Sequence, residues 1–254
     1  MHLDVSDLKG FYDLHIGQIA RRLIRKRIRE LWPSVRGQSV LGLGYATPYL
    51  RPLQAEAERV LALMPAQQGV IAWPQEAGGL TALVDEAELP LADASIDRVI
   101  LAHVLETSES LRPLLRQVWR VLAGNGRLIV IAPNRASLWA QFEMTPFGHG
   151  TPFSRAQLHR LLTDSLFTPL TFANCLYFPP FGTRQLLRDG ERWEAVGARL
   201  WPRFSGVLVA EATKQVYALA PEGGARRRVR AKPILIPSGA VTQRATTEKL
   251  HLPQ

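Results

Sequence analysis

The stretch Ser39-Val40-Leu41-Gly42-Leu43-Gly44-Tyr45-Ala46-Thr47-Pro48 restricts the fold more than any other part of the chain. Its apolar run lacks the alternation of a half-solvated strand and reads as a strand buried on both faces. Gly44 then offers the positive φ or close backbone approach that a turn over a ligand requires, and Pro48 suits the first turn of a helix. Strand, glycine turn and helix in that order form the first unit of a doubly wound nucleotide-binding sheet, if the rest of the chain alternates in the same way.

The alternation continues. A helix is expected at 47–57, strands at 59–63, 81–84, 97–102 and 127–132, and a helix at 111–122 whose apolar face is Leu111, Leu115, Val118 and Leu122, with Gly124 as its stop. This rhythm selects an α/β fold with a mainly parallel sheet. After the fifth strand, residues 133–153 form an insert rich in aromatics and glycine, and Ser154 is a suitable N-cap for a helix over 155–166. A strand at 170–178, a helix at 183–200 and a last strand at 206–218 follow, the two late strands pairing as an antiparallel edge. At 254 residues and 46% hydrophobic, the chain has material for one large core with appendages. We divide it into an amphipathic basic N-terminal helix within 1–37, a central domain over 38–220, and a basic tail over 221–254 whose Gly, Pro, Arg, Ser and Thr predict disorder.

The net charge of +9 raises the question of nucleic acid, and its placement gives a partial answer. Residues 18–30 carry +5 and residues 221–254 another +5, the first 17 residues carry −2, and 31–220 are left with only +1. The basicity belongs to the ends, so the body argues for a small-molecule or protein partner ahead of RNA. Cys175 is the only cysteine, which excludes an internal disulfide, and no metal-ligand spacing surrounds it. No apolar run approaches the ~20 residues of a membrane span, and the acidic N-terminus has no apolar core, so a soluble cytoplasmic protein is expected.

Four stretches in order carry a family resemblance: Val40 through Ala46; Asp85-Glu86-Ala87-Glu88-Leu89-Pro90-Leu91 with Asp93-Ala94-Ser95-Ile96-Asp97; His103-Val104-Leu105-Glu106; and Arg120-Val121-Leu122-Ala123-Gly124-Asn125-Gly126-Arg127-Leu128. Together they resemble the class I S-adenosylmethionine-dependent methyltransferases, in particular the type 11 group, in motif detail over 38–132 and more loosely to 218. The resemblance implies a Rossmann-like seven-stranded, mostly parallel sheet with a reversed last strand. It also implies S-adenosylmethionine as cofactor, held by Gly42, Gly44, Tyr45, Ala46, Met64, Asp85, Glu86 and His103. Asp85, at the end of a strand where open α/β sheets bind ligands, would accept from the adenine amino group, the alternative being a turn or N-cap group.

The chain departs from the family at three of these positions. Gly42 stands where the family carries an acid, Ala46 replaces the second loop glycine, and Met64 replaces the carboxylate that accepts from the ribose hydroxyls, for which Gln67 or Gln68 can substitute. Acceptor contacts are expected from the insert, at Asn134, Trp139 and His149, with Tyr12 as a lid from the N-terminal helix. His149 and His103 are the candidate bases, each as readily a structural histidine. The expected function is methyl transfer to a small-molecule or protein-presented acceptor. A non-catalytic scaffold that keeps the sheet to hold a partner protein is the alternative, and an RNA-directed methyltransferase a weaker one.

Overall fold

The computed structural model describes residues 3–74, 79–181 and 190–215. The expected tail over 221–254, the start of the helix placed at 183–200 and the end of the strand placed at 206–218 lie outside these residues.

Seven strands form one sheet: β1 (Ser39–Gly44), β2 (Arg59–Pro65), β3 (Thr81–Val84), β4 (Ile96–Ala102), β5 (Leu122–Pro133), β6 (Phe167–Cys175) and β7 (Val207–Lys214), in the order β3-β2-β1-β4-β5-β7-β6. The first five run parallel, and β7 is antiparallel to both β5 and β6. The sheet is therefore the mostly parallel one with a reversed last strand. The strand order reverses between β1 and β4, where Gly44 lies opposite Ala102. Open α/β sheets bind ligands in the crevice beyond the strand ends at such a point.

Two separate apolar cores cover the two faces, as the continuous apolar runs of the central strands require. One holds α4 (Leu111–Val121) and α5 (Arg155–Asp164), the other α1 (Val5–Asp13), α2 (His15–Leu31) and α3 (Thr47–Leu50). A further helix, α6 (Gly190–Leu200), precedes β7. Arg120 on α4 donates to the carbonyls of Leu89 and Leu91 and pairs with Asp93 at 2.6 Å, so the fourth motif holds the second in place. Asp97 accepts from the Ser39 amide at 2.9 Å and ties the start of β1 to β4. Ser154 and Gln157 complete a reciprocal cap on α5.

Local readings fail in three places. The N-terminal helix is two helices, because Leu14 is extended (φ −68°, ψ 154°) and ends α1. Gly17 permits the fold-back that follows, since a Cβ there would lie 2.0 Å from the Phe11 carbonyl oxygen. The helix after β1 stops at Leu50 in place of Ala57: Pro52 has no N–H for the Pro48 carbonyl, and the Arg25 side chain takes that carbonyl at 2.6 Å. Gly124 does not stop α4, which passes directly into β5 at Leu122 with Gly124 inside the strand.

Candidate functional site

The crevice beyond β1 and β4 begins with two unusual backbone positions. Gly44 has φ +82°, and a Cβ there would meet the Ala102 carbonyl oxygen at 2.3 Å and Val104 at 2.8 Å, so only glycine allows the two strand ends to approach this closely. His103, the first residue past β4, also has a positive φ of 54°. A non-glycine side chain in this region costs about 1–2 kcal/mol, and the surroundings hold it there. Its carbonyl accepts from Gln68 Nε2 at 2.8 Å, and the Gln68 carbonyl accepts in turn from the Val5 amide of α1 at 2.8 Å.

The His103 ring joins a buried polar chain. Nε2 lies 2.7 Å from the Tyr12 hydroxyl, which lies 2.5 Å from the Tyr49 hydroxyl. On the other side Nδ1 is 3.2 Å from Glu106 Oε1, and both side chains are at most 3% exposed. That approach is too oblique for a hydrogen bond, so both Glu106 oxygens, like Gln68 Oε1, are buried acceptors without a donor among the described residues. Tyr12 stacks on Tyr45 with centroids 5.7 Å apart, and Phe147 covers the imidazole at 5.0 Å and Phe11 at 6.2 Å. Burial, then the neighbouring Tyr49, keeps the Tyr12 phenol well above its ordinary range; burial pushes Tyr45 up to about 12. A hydroxyl–hydroxyl–imidazole series of this kind can hold or pass a proton, and its phenols stay neutral at any physiological pH.

The candidate residues divide into two sets. Tyr12, Gly44, Tyr45 and His103 converge on the crevice, with Ala46 and Met64 fully buried in the core beside it. Gly42 faces Leu50 and Ala46, where an added Cβ would lie 2.6 and 2.7 Å from their side chains, so an acid at this position has no room. Asp85 is exposed and accepts from the Ala87 amide at 2.8 Å, the turn role, while Glu86 accepts from Ser108 Oγ at 2.6 Å. Asn134 donates to the carbonyls of Arg203 and Ser205, and Trp139 Nε1 donates to the Phe178 carbonyl. His149 Nε2 sits 2.6 Å from the Glu143 carbonyl oxygen. The insert reaches the crevice through Phe147 and through the Thr151 amide on the Glu106 carbonyl, not through these three side chains.

Sequence reasoning did not single out Tyr49, Glu106 or Phe147. Glu106 had a signal, three residues after His103, which a tight turn brings back onto the ring. Tyr49 had none, because its partner lies 37 residues away. Among the described residues no group of His, Cys, Asp and Glu is arranged to hold a metal ion, and no helix is long and apolar enough to cross a membrane.

Residues 41–130 match the methyltransferase domain family. A "probable S-adenosylmethionine-dependent methyltransferase" of Mycobacterium tuberculosis is 29% identical over 144 residues, 54% of this chain and 52% of that protein; the chain thus spans about half the length of the curated relatives it matches. A methyltransferase structure from Thermotoga maritima aligns with a TM-score of 0.60 at 18% identity, over 83% of this chain and 96% of that one. The 1,6-didemethyltoxoflavin-N1-methyltransferase of Burkholderia thailandensis, solved with its substrate and S-adenosylhomocysteine, aligns with a TM-score of 0.53 at 16% identity, over 84% and 85%. These structures share the fold.

Proposed function

We propose that this chain, a member of the class I S-adenosylmethionine-dependent methyltransferase superfamily through residues 41–130, transfers a methyl group from that cofactor to a small-molecule or protein-presented acceptor. The observation that carries the reading is the set of buried acceptors without donors, Gln68 Oε1 and the Glu106 carboxylate, both attached to His103 at the switch point of the sheet. A buried acceptor left unsatisfied costs about 1–3 kcal/mol, and a ligand carrying ammonium and hydroxyl donors relieves that cost. The cofactor has such groups, so the residues present fit it: Gln68 takes the part that Met64 cannot, and Glu106 supplies the charge missing at Gly42. Bound there, it supplies an electrophilic methyl group on a sulfonium.

The chain's own contribution is position and proton management. Gly44 fixes the approach of the β1 and β4 ends, and Tyr12, Tyr45 and Phe147 exclude water. We assign the proton-accepting role to His103, which has the Glu106 carboxylate 3.2 Å from Nδ1 and the Tyr12 hydroxyl at Nε2, in preference to His149.

A second reading, a non-catalytic scaffold for a partner protein, is supported by Tyr12, whose hydroxyl takes His103 Nε2 and whose ring stacks on Tyr45 beside the glycine turn. Isothermal titration of the full chain with S-adenosylhomocysteine separates the two. Binding that weakens about tenfold or more in Gln68→Ala and Glu106→Gln is expected for the enzyme. No heat at millimolar ligand, in the wild type and in Tyr12→Ala alike, leaves only the scaffold.

A further inference from the structure

A second concavity, of about 170 Å³, lies on the outer side of Tyr12 and Tyr45. Its walls come from four parts of the chain: α1, α2, the glycine turn with α3, and the segment after β2 that carries Trp73. Lys9, Arg21, Arg25 and Arg51 all line it, and Asp13 is the one carboxylate among the lining residues. Asp13 already lies 3.5 Å from Lys9, one turn away on α1. These cations therefore converge from separate elements onto one hollow, unlike a charged stripe along a single helix.

The two halves of α2 show that the convergence is local. Toward its C-terminus Arg27 pairs with Glu30 at 2.7 Å and Arg29 with Glu56 at 2.8 Å. Toward the hollow, Arg21 and Arg25 have no carboxylate partner among the described residues, and Arg25 is fixed by its Nε bond to the Pro48 carbonyl. Burial, then the like charge of Arg21 and of Arg51, lowers its pKa to about 10. Arg21 and Arg25, crowded together without a carboxylate partner among the described residues, are unfavourable neighbours on their own and favourable ones around an oxyanion. The aromatic rings of Tyr45 and Trp73 in the same lining suit a flat, partly apolar ligand body. The volume admits a head group or a single ring, not a nucleic-acid strand.

We propose that this hollow binds the anionic group, a carboxylate or a phosphate, of a small aromatic molecule, and that Arg21 and Arg25 are its recognition residues. The further identification of that molecule as the methyl acceptor rests on the methyltransferase reading; anion binding does not.

The test is isothermal titration of the full chain at low ionic strength with three probes: benzoate, phenyl phosphate and inorganic phosphate. At least one binds the wild type, and Arg21→Gln and Arg25→Gln weaken it about tenfold. Arg21→Lys, which keeps the charge, retains part of the affinity, and Arg116→Gln, an exposed charge on α4, leaves it unchanged. Preference for benzoate or for phenyl phosphate identifies the oxyanion. S-adenosylhomocysteine is titrated in parallel. If it binds and no probe does, the anion site is overturned and the methyltransferase reading stands. If the probes bind and it does not, the anion site stands and the acceptor role falls. If Arg21→Gln loses both, the hollow belongs to the cofactor and the acceptor assignment is overturned. A single-stranded RNA oligomer that binds through the same arginines overturns the small-molecule form of the proposal.

Discussion

Tyr12 separates two sites of opposite character. On its inner side the crevice at β1 and β4 is closed, and its polar atoms depend on one another: Tyr49, Tyr12, His103 and Glu106 within 2.5–3.2 Å, all buried. On its outer side the hollow is open to water and lined by Lys9, Arg21, Arg25 and Arg51, with Asp13, already beside Lys9, as the one carboxylate in the lining. Water screens the outer charges and leaves their stability effect small, whereas the buried side chains of Tyr49, Tyr12 and His103 have only one another as hydrogen-bond partners among the described residues. Changes on the inner side are therefore expected in folding, and changes on the outer side in ligand binding.

The largest effect falls on the inner side. Gly44→Ala places a Cβ 2.3 Å from the Ala102 carbonyl oxygen at a positive φ, which together should cost about 2–5 kcal/mol in chemical denaturation. A loss below about 1 kcal/mol means the strand ends separate easily and the close approach is not required. Next, Tyr12→Phe keeps the stack on Tyr45 but leaves His103 Nε2 and the Tyr49 hydroxyl without their partner, for about 1–3 kcal/mol. An equally stable variant would show that the chain of bonds adds nothing beyond packing.

The third prediction concerns alkaline pH. The phenols of Tyr12 and Tyr45 have folded pKa values raised above the ordinary value of 10, Tyr45 to about 12. Below pH 10 they are protonated in both states, and the stability they lend the fold is fully present. Above pH 10 the unfolded chain releases protons that the folded chain retains, so stability falls as pH rises toward the folded values. Denaturation midpoints should decline from about pH 10 upward, and less steeply in Tyr12→Phe, with the buried phenols ionising only as the chain unfolds. Phenols that titrate freely near pH 10 in the folded chain would show that the crevice opens to solvent.

Much of the fold was legible because its signals are local. The apolar runs of β1, β2, β4 and β5, the cap at Ser154 and the glycine at 44 each depend on neighbours in sequence. The end of α3 was missed because a side chain from α2 takes the Pro48 carbonyl, and the break at Leu14 because residues on both sides keep a helical period. The site was legible in its backbone and less so in its side chains. His103 and Tyr12 were marked by position, but their contact spans 91 residues, and no periodicity reports a contact at that separation. His149 and Trp139 drew attention by residue type, and the structure gives each a backbone carbonyl as partner.

The smallest effect tests the outer side. Arg25 has a folded pKa lowered from 12.5 to about 10, by burial first and by Arg21 and Arg51 after it. A cation shifted downward is charged in both states at neutral pH, so the folded state bears the repulsion there, and the repulsion is relieved only above pH 10, where the tyrosines act in the opposite direction. The comparison therefore belongs at neutral pH. Removing one of the crowding charges in Arg21→Gln should raise the Tm slightly at low ionic strength, with the gain shrinking as salt screens the half-exposed pair. Phenyl phosphate should raise the Tm of the wild type more than that of the variant, because a bound anion offsets the repulsion that the substitution has already removed. A lower Tm for Arg21→Gln would mean that this arginine holds α2 in place, as Arg29 does through Glu56, and the contrast between the two halves of the helix would then disappear.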